Sequence, residues 1–259
     1  MLAVIAVSFF DYGQGRIYPT VILDNYREIF ESSVTLRLYL NSLKFALIVW
    51  VVTLLVGFNI AYFLVFHVRS LLWKIALFLL CTVPFWTSNI IRMISWIPFL
   101  GRNGIFNQTL ERLGIVSRPM EFLLFSDFAV VVAYVHLFTL FMVVPIFNSM
   151  ARIDRSLIEA AYDAGAGRWR IVLEIVLPLS KTGIALGSIF VVTLVMGDFF
   201  VVKVMSGGQS ATVASALSNE IAQIQYPPAA ANAIILVVIV TMMVSAILRL
   251  VDIRKELAS

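Results

Sequence analysis

Five stretches of this chain, residues 41–66, 71–96, 128–150, 183–205 and 229–250, are apolar and each at least twenty residues long. A helix needs about twenty such residues to cross the hydrocarbon layer of a bilayer. Inside that layer every backbone N–H and C=O must be satisfied within the segment, so a run of this length folds as a helix. The expected class is therefore an all-α polytopic membrane protein. Composition agrees: 61% of residues are hydrophobic and 13% charged, whereas a soluble domain is roughly half apolar and a quarter charged. The net charge of +4 is spread over scattered lysines and arginines with no basic run, which argues against nucleic acid and for solvated or headgroup-facing positions. Cys81 is the one cysteine, so no internal disulfide forms and no CxxC or His cluster offers a metal site.

The segments between the runs are short. Met1 to Phe10 is apolar but ten residues long, too short to span alone; it lacks the basic start and small-residue cleavage site of a signal peptide. Asp24, Arg27, Glu28, Glu31 and Arg37 are spaced like a surface helix at the membrane edge, within a polar segment read as 11–40. Gly101, Gly104, Gly114 and Pro119 mark 97–126 as a loop, with a short amphipathic helix around Asn107 to Leu113. Val213, Ala214, Leu217, Ile221 and Ile224 recur at helical spacing, which predicts a short interfacial or re-entrant helix.

The polar stretch between the third and fourth runs carries a motif. Ser156-Leu157-Ile158-Glu159 reads as a capping box that opens a helix. Ala160, Ala161 and Ala164 favour that helix, and Gly165 and Gly167 supply its stop. A second start at Arg168 runs to Pro178, which cannot donate a hydrogen bond from a helix interior. The product is two short helices at an elbow.

Glu159-Ala160-Ala161, three residues, Gly165, nine residues, then Ile175-Val176-Leu177-Pro178 resembles the EAA loop of binding-protein-dependent ABC importer permeases at every specified position. The resemblance implies a type I permease fold, with five complete transmembrane helices and a partial first one. It places the partial helix and a periplasmic segment in 1–40, and the transmembrane domain in 41–250 with a cytoplasmic EAA loop at 151–181. A cytoplasmic tail follows at 251–259. It further implies that Glu159, Ala160, Ala161, Gly165, Ile175, Leu177 and Pro178 form the helix that docks on a separate ATPase. A linker that only joins two spans is the alternative. The implied partners are an ATP-binding subunit dimer, a second permease subunit in a heterodimer, a periplasmic substrate-binding protein and membrane lipid. ATP and Mg are used by the ATPase, so no cofactor is expected in this chain.

With the loop and C-terminus placed inside a bacterial inner membrane, ten of the 19 basic residues lie inside, a weak positive-inside bias. The connection from Val204 to Leu248 has no lysine or arginine, and the tail after it has three. No phosphate loop occurs, since Gly207-Gly208-Gln209-Ser210 lacks the lysine that reaches a nucleotide. No HExxH or GxSxG is present either, so an enzyme has no motif to stand on. Internal repeats around a midplane site, the mark of a secondary transporter, are also not found.

Charges inside spans are costly and point to a cavity or a partner. Asp198 beside Gly197 either faces a translocation path and attracts a cation, or is hydrated near a helix end or paired with Lys203. Trp86, Asn89, Arg92 and Trp96, spaced at three or four, either line that path or anchor an interface. Val83-Pro84-Phe85-Trp86-Thr87 to Ile91-Arg92, Asn103-Gly104-Ile105-Phe106-Asn107 and Leu113-Gly114 resemble the spermidine/putrescine branch of these permeases. That branch implies a polyamine; an opine, an amino-acid derivative or a metal ion is the alternative solute.

Overall fold

The computed structural model describes residues 1–13 and 16–250; the tail 251–259 lies outside the described residues. The chain is mostly helical and divides into two compact units. The first comprises 1–48, 89–134 and 193–243, and the second 49–88, 135–192 and the chain from 244.

The first unit opens with α1 (Leu2–Val7) and an antiparallel pair, β1 (Phe10–Gly13) and β2 (Arg16–Val21). This hairpin departs from the all-helical expectation. Its strands are short and carry no alternation of buried and exposed residues, so no period-2 signal marked them. Helix α2 (Asp24–Glu31) follows, where the amphipathic spacing predicted one. Its buried Asn25 donates to the carbonyls of Ser8 and Phe10, both at 3.0 Å, and so pins the hairpin.

Helix α3 runs from Ser33 to Tyr62 and closes with a π turn, Phe63–His67. It begins eight residues before the predicted Asn41, because Val34, Leu36, Leu38 and Leu40 extend the apolar run past Arg37. Polar ties hold its first part within the first unit. Lys44 pairs with Asp127, which also accepts from the Ser210 hydroxyl. The Ser42 hydroxyl accepts from the Val213 amide at 3.0 Å, and Asn41 donates to the Ala211 carbonyl at 3.2 Å. Those contacts seat the start of α13 (Val213–Ala222), the predicted short helix, which a Thr212–Ser215 capping box opens.

Two predicted spans are broken. The run 71–96 forms α4 (Leu71–Thr82), a 3₁₀ turn over Val83–Trp86, and then α5 (Asn89–Leu100). Pro84 has no N–H and fixed φ, so the α ladder stops there. The run 183–205 forms α11 (Lys181–Gly197) and α12 (Phe200–Met205), with Asp198 and Phe199 between them. After α5, α6 (Ile105–Arg112) is the predicted amphipathic helix; buried Asn107 donates to Gly101 and Met120 carbonyls and accepts from the Met120 amide. Among the described residues three helices are long and apolar enough to cross a membrane: Ser33–His67, α7 (Asp127–Met150) and the last helix over Tyr226–Arg249. A fourth crossing results if Arg168–Leu179 and Lys181–Gly197, bent by 68°, count as one.

In the second unit the helices meet at glycines. A Cβ on Gly183 would lie 2.4 Å from the Pro145 carbonyl oxygen and 2.7 Å from the Ser149 Cβ. On Gly187 it would lie 2.7 Å from Met142 Sδ, and on Gly57 2.8 Å from Met142 Cγ. Gly183 and Gly187 form a G-x-x-x-G step, one helical face of α11 laid against α7. In lipid no hydrophobic push brings helices together, so close backbone approach of this kind supplies the attraction. Trp50 adds a donor to the Ser188 hydroxyl at 2.8 Å, and Phe78–Phe147 and Phe85–Phe141 rings pack α4 and the turn after it on α7.

Gly183→Ala is therefore expected to destabilise the protein by about 1–3 kcal/mol through overpacking. Gly197→Ala, whose added methyl meets open space, is the control and should be neutral. Unfolding midpoints of both variants in detergent micelles test this; equal midpoints would remove the glycine contact from the account.

Candidate coupling loop and polar path

The elbow is built from α8 (Arg155–Asp163), α9 (Arg168–Ile171), a π turn over Val172–Val176 and α10 (Leu177–Leu179). Its cap differs from the predicted one. Asp154 is the N-cap, and its carboxylate accepts from the Ser156 amide at 2.9 Å. Ser156 therefore sits inside the first turn. Both residues are competent caps, but the carboxylate also meets the positive end of the helix dipole. That amide, with the Ser156 hydroxyl, holds the Asp154 carboxyl below its ordinary value.

Glu159 is thereby released from any capping duty. It is exposed, and among the described residues it makes no hydrogen bond or ion pair. The stop is as predicted: Gly165 has φ +81°, its amide donates to Tyr162 O and the Ala166 amide to Ala161 O, both at 2.9 Å. That pair of bonds is a Schellman ending, which a left-handed residue permits. The chain then restarts with Gly167 as N-cap.

The π turn precedes Pro178, whose missing N–H leaves the Glu174 carbonyl without its α-helical donor. Ile171, Val176 and Ser180 face inward. Leu157, Tyr162, Trp169, Leu173 and Leu177 face outward, with Trp169 80% exposed. Ala160 and Pro178 are exposed too, and Ala161 and Ile175 half-buried. Arg155 donates to the Val65 carbonyl at 3.3 Å, tying the elbow to the π turn that ends α3. A cleft of about 410 Å³ lies between Tyr62, Phe66 and His67 on one side and Arg155, Glu159 and Arg168 on the other. The motif residues share one loop, and its outer surface is an apolar strip flanked by charge. An exposed apolar strip with a polar rim is how a docking surface is made.

The second candidate set is partly brought together. The Asn89 side-chain oxygen Oδ1 accepts from the Arg92 guanidinium on α5, where Arg92 is 8% exposed. Trp96 stacks edge-on to Phe99 at 5.5 Å. Trp86 belongs to the 3₁₀ turn before the break and is 86% exposed, so it does not continue the helical face of the other three. Asp198 occupies the break between α11 and α12. Its Oδ1 accepts from the Val201 amide at 2.9 Å and from the Tyr134 hydroxyl at 3.3 Å. Among the described residues Lys203 is not its partner. Sequence reasoning missed Tyr134, since no local spacing joins residues 64 apart. It also passed over the G-x-x-x-G of 183–187, a signal that was available.

Long apolar helices and an exposed helical elbow between two of the apolar runs define a helical membrane protein. The chain matches, over residues 26–256, the model of the family described as binding-protein-dependent transport system inner membrane component, and it belongs to that family. It is 32% identical over 247 residues to the spermidine/putrescine transport system permease protein PotB of Escherichia coli, covering 93% of this chain and 87% of that one. The protein of the same name from Haemophilus influenzae is 31% identical over 220 residues, covering 85% and 76%. The fold is similar to a bacterial ABC transporter involved in the import of the acidic polysaccharide alginate. That match has a TM-score of 0.73 at 17% identity and covers 96% of this chain and 88% of that one.

Gly165→Ala places a methyl in open space but in a left-handed backbone, at a cost of about 1–2 kcal/mol. The amide of residue 166 should then exchange with solvent about 5–30 times faster, while Gly165→Asn changes it less. Unchanged exchange in Gly165→Ala would show that the Schellman ending is not what holds the elbow.

Proposed function

We propose that this chain is one permease subunit of an ATP-driven ABC importer for polyamines, spermidine and putrescine, in a bacterial inner membrane. The observation that carries the substrate is the 32% identity to PotB of Escherichia coli across 93% of this chain. The path is completed by a second, different permease subunit. Two ATP-binding subunits use ATP and Mg, and a periplasmic binding protein delivers the solute. The runs 41–66, 71–96, 128–150, 183–205 and 229–250 cross the membrane once each, with a partial crossing before them. The elbow and the C-terminus face the cytoplasm.

In this reading the elbow is the coupling element. Trp169, Leu173 and Leu177 supply apolar contact to the ATPase, and Glu159, which the fold does not use, is free for a polar contact there. Gly165 sets the angle between α8 and α9, and the run Ile175, Leu177 and Pro178 leads into the bend before α11. Closure of the ATPase pair moves the elbow, and the bent helix passes the motion to the spans.

A polyamine is a flexible polycation, so its path needs carboxylates and π faces rather than cations. Asp198 supplies the carboxylate, positioned by Tyr134 and the Val201 amide. Trp96 supplies an indole. Arg92 is buried against Asn89, which keeps its charge off the path.

Deleting the gene should abolish uptake of labelled spermidine and putrescine, and a plasmid copy should restore it. Unchanged uptake in a strain with no other polyamine importer sinks the polyamine reading. Asp198→Asn keeps an acceptor for Val201 but removes the charge. Its uptake should fall about tenfold, the worth of one charge-assisted bond, with assembly intact; full uptake by that variant removes Asp198 from the path.

A further inference from the structure

Helix α13 and the part of α14 (Tyr226–Leu250) up to Met243 lie in the first unit, and a side-chain pair joins them. The Asn232 amide nitrogen donates to Glu220 Oε1 at 2.9 Å. The other arm of the same pair is anomalous. Glu220 Oε2 and Asn232 Oδ1 are both buried, and neither has a hydrogen-bond donor. Two buried acceptors are costly if both stay without a donor. A carboxylic acid, unlike a carboxylate, carries a donor of its own.

We propose that Glu220 is a proton-binding site: its Oε2 carries a proton that it donates to Asn232 Oδ1, closing an acid–amide ring that latches α13 to α14. One proton satisfies both orphaned acceptors and needs no other group. The backbone of Asn232 is fixed independently, because its carbonyl accepts from the buried Tyr39 hydroxyl at 3.2 Å.

The surroundings favour the neutral acid. Burial pushes the Glu220 carboxyl above its ordinary value; Asn232 opposes the shift and the Glu28 carboxylate on α2 adds to it. The other titratable groups coupled to Glu220 are the phenols of Tyr12 and Tyr39. Among the described residues no lysine or arginine is among the groups acting on it. A carboxyl raised in the folded state stabilises below its unfolded value, and that contribution is lost as pH rises through the folded one. The latch therefore closes in acid and opens in alkali.

Infrared difference spectra of the assembled transporter in lipid, acid against alkaline, should show the carbonyl stretch of a protonated carboxylic acid. That band should be lost in Glu220→Gln. The glutamine amide can close the same ring without titrating, so the thermal midpoint of this variant should lose the alkaline fall that the wild type shows. Two outcomes overturn the proposal: no Glu220-dependent acid band at any pH where the complex is folded, or an identical pH profile in Glu220→Gln.

Discussion

The contact of Gly183 and Gly187 with Met142, Pro145 and Ser149 is what the rest of the second unit depends on. Lipid is as apolar as the side chains, so helices gain nothing by hiding Leu or Val from it. They gain by dispersion and polar contact where backbones approach closely. Gly183 lies three residues past Ser180, where the chain bends by 68° into α11. The contact thus fixes the place from which the elbow departs. Ser149, near the end of α7, accepts from the Gly183 amide at 3.2 Å, so the strand of chain entering the elbow and the helix leaving it are clamped at the same point.

The long spans were legible because bilayer thickness dictates their length. Ser33–His67, Asp127–Met150 and Tyr226–Arg249 each contain a run identified from residues alone. The breaks at Pro84 and Asp198 were not, since hydropathy averages over about twenty residues and a two-residue interruption hardly changes the mean. Proline was visible in the sequence, but that it would end α4 depended on neighbours. The Gly165 stop was legible for the opposite reason: a left-handed residue has few substitutes. The cap was one choice among two nearby oxygens, Asp154 and Ser156, and only geometry decided it.

The site separates in the same way. The candidate coupling motif is local, and its residues fall on one loop. The polar set proposed for the path is nonlocal. Asp198 stood out as a charge in an apolar run, but its partner Tyr134 is 64 residues away. Nothing in either neighbourhood announces the pair. Membership of the transport family rests on residues 26–256, a span within which Trp169 and Leu173 are exposed.

The π turn over Val172–Val176 changes what a fixed spacing means. A π turn holds one residue more than an α turn, and each residue advances a helix by about 100°. Drawn as an unbroken α-helix from Arg168, the wheel puts Leu177 and Pro178 out of phase by about that angle. The nine residues between Gly165 and Ile175 thus encode a rotation as well as a distance. The motif is a clock setting: one residue fewer would turn its last letters to another hour.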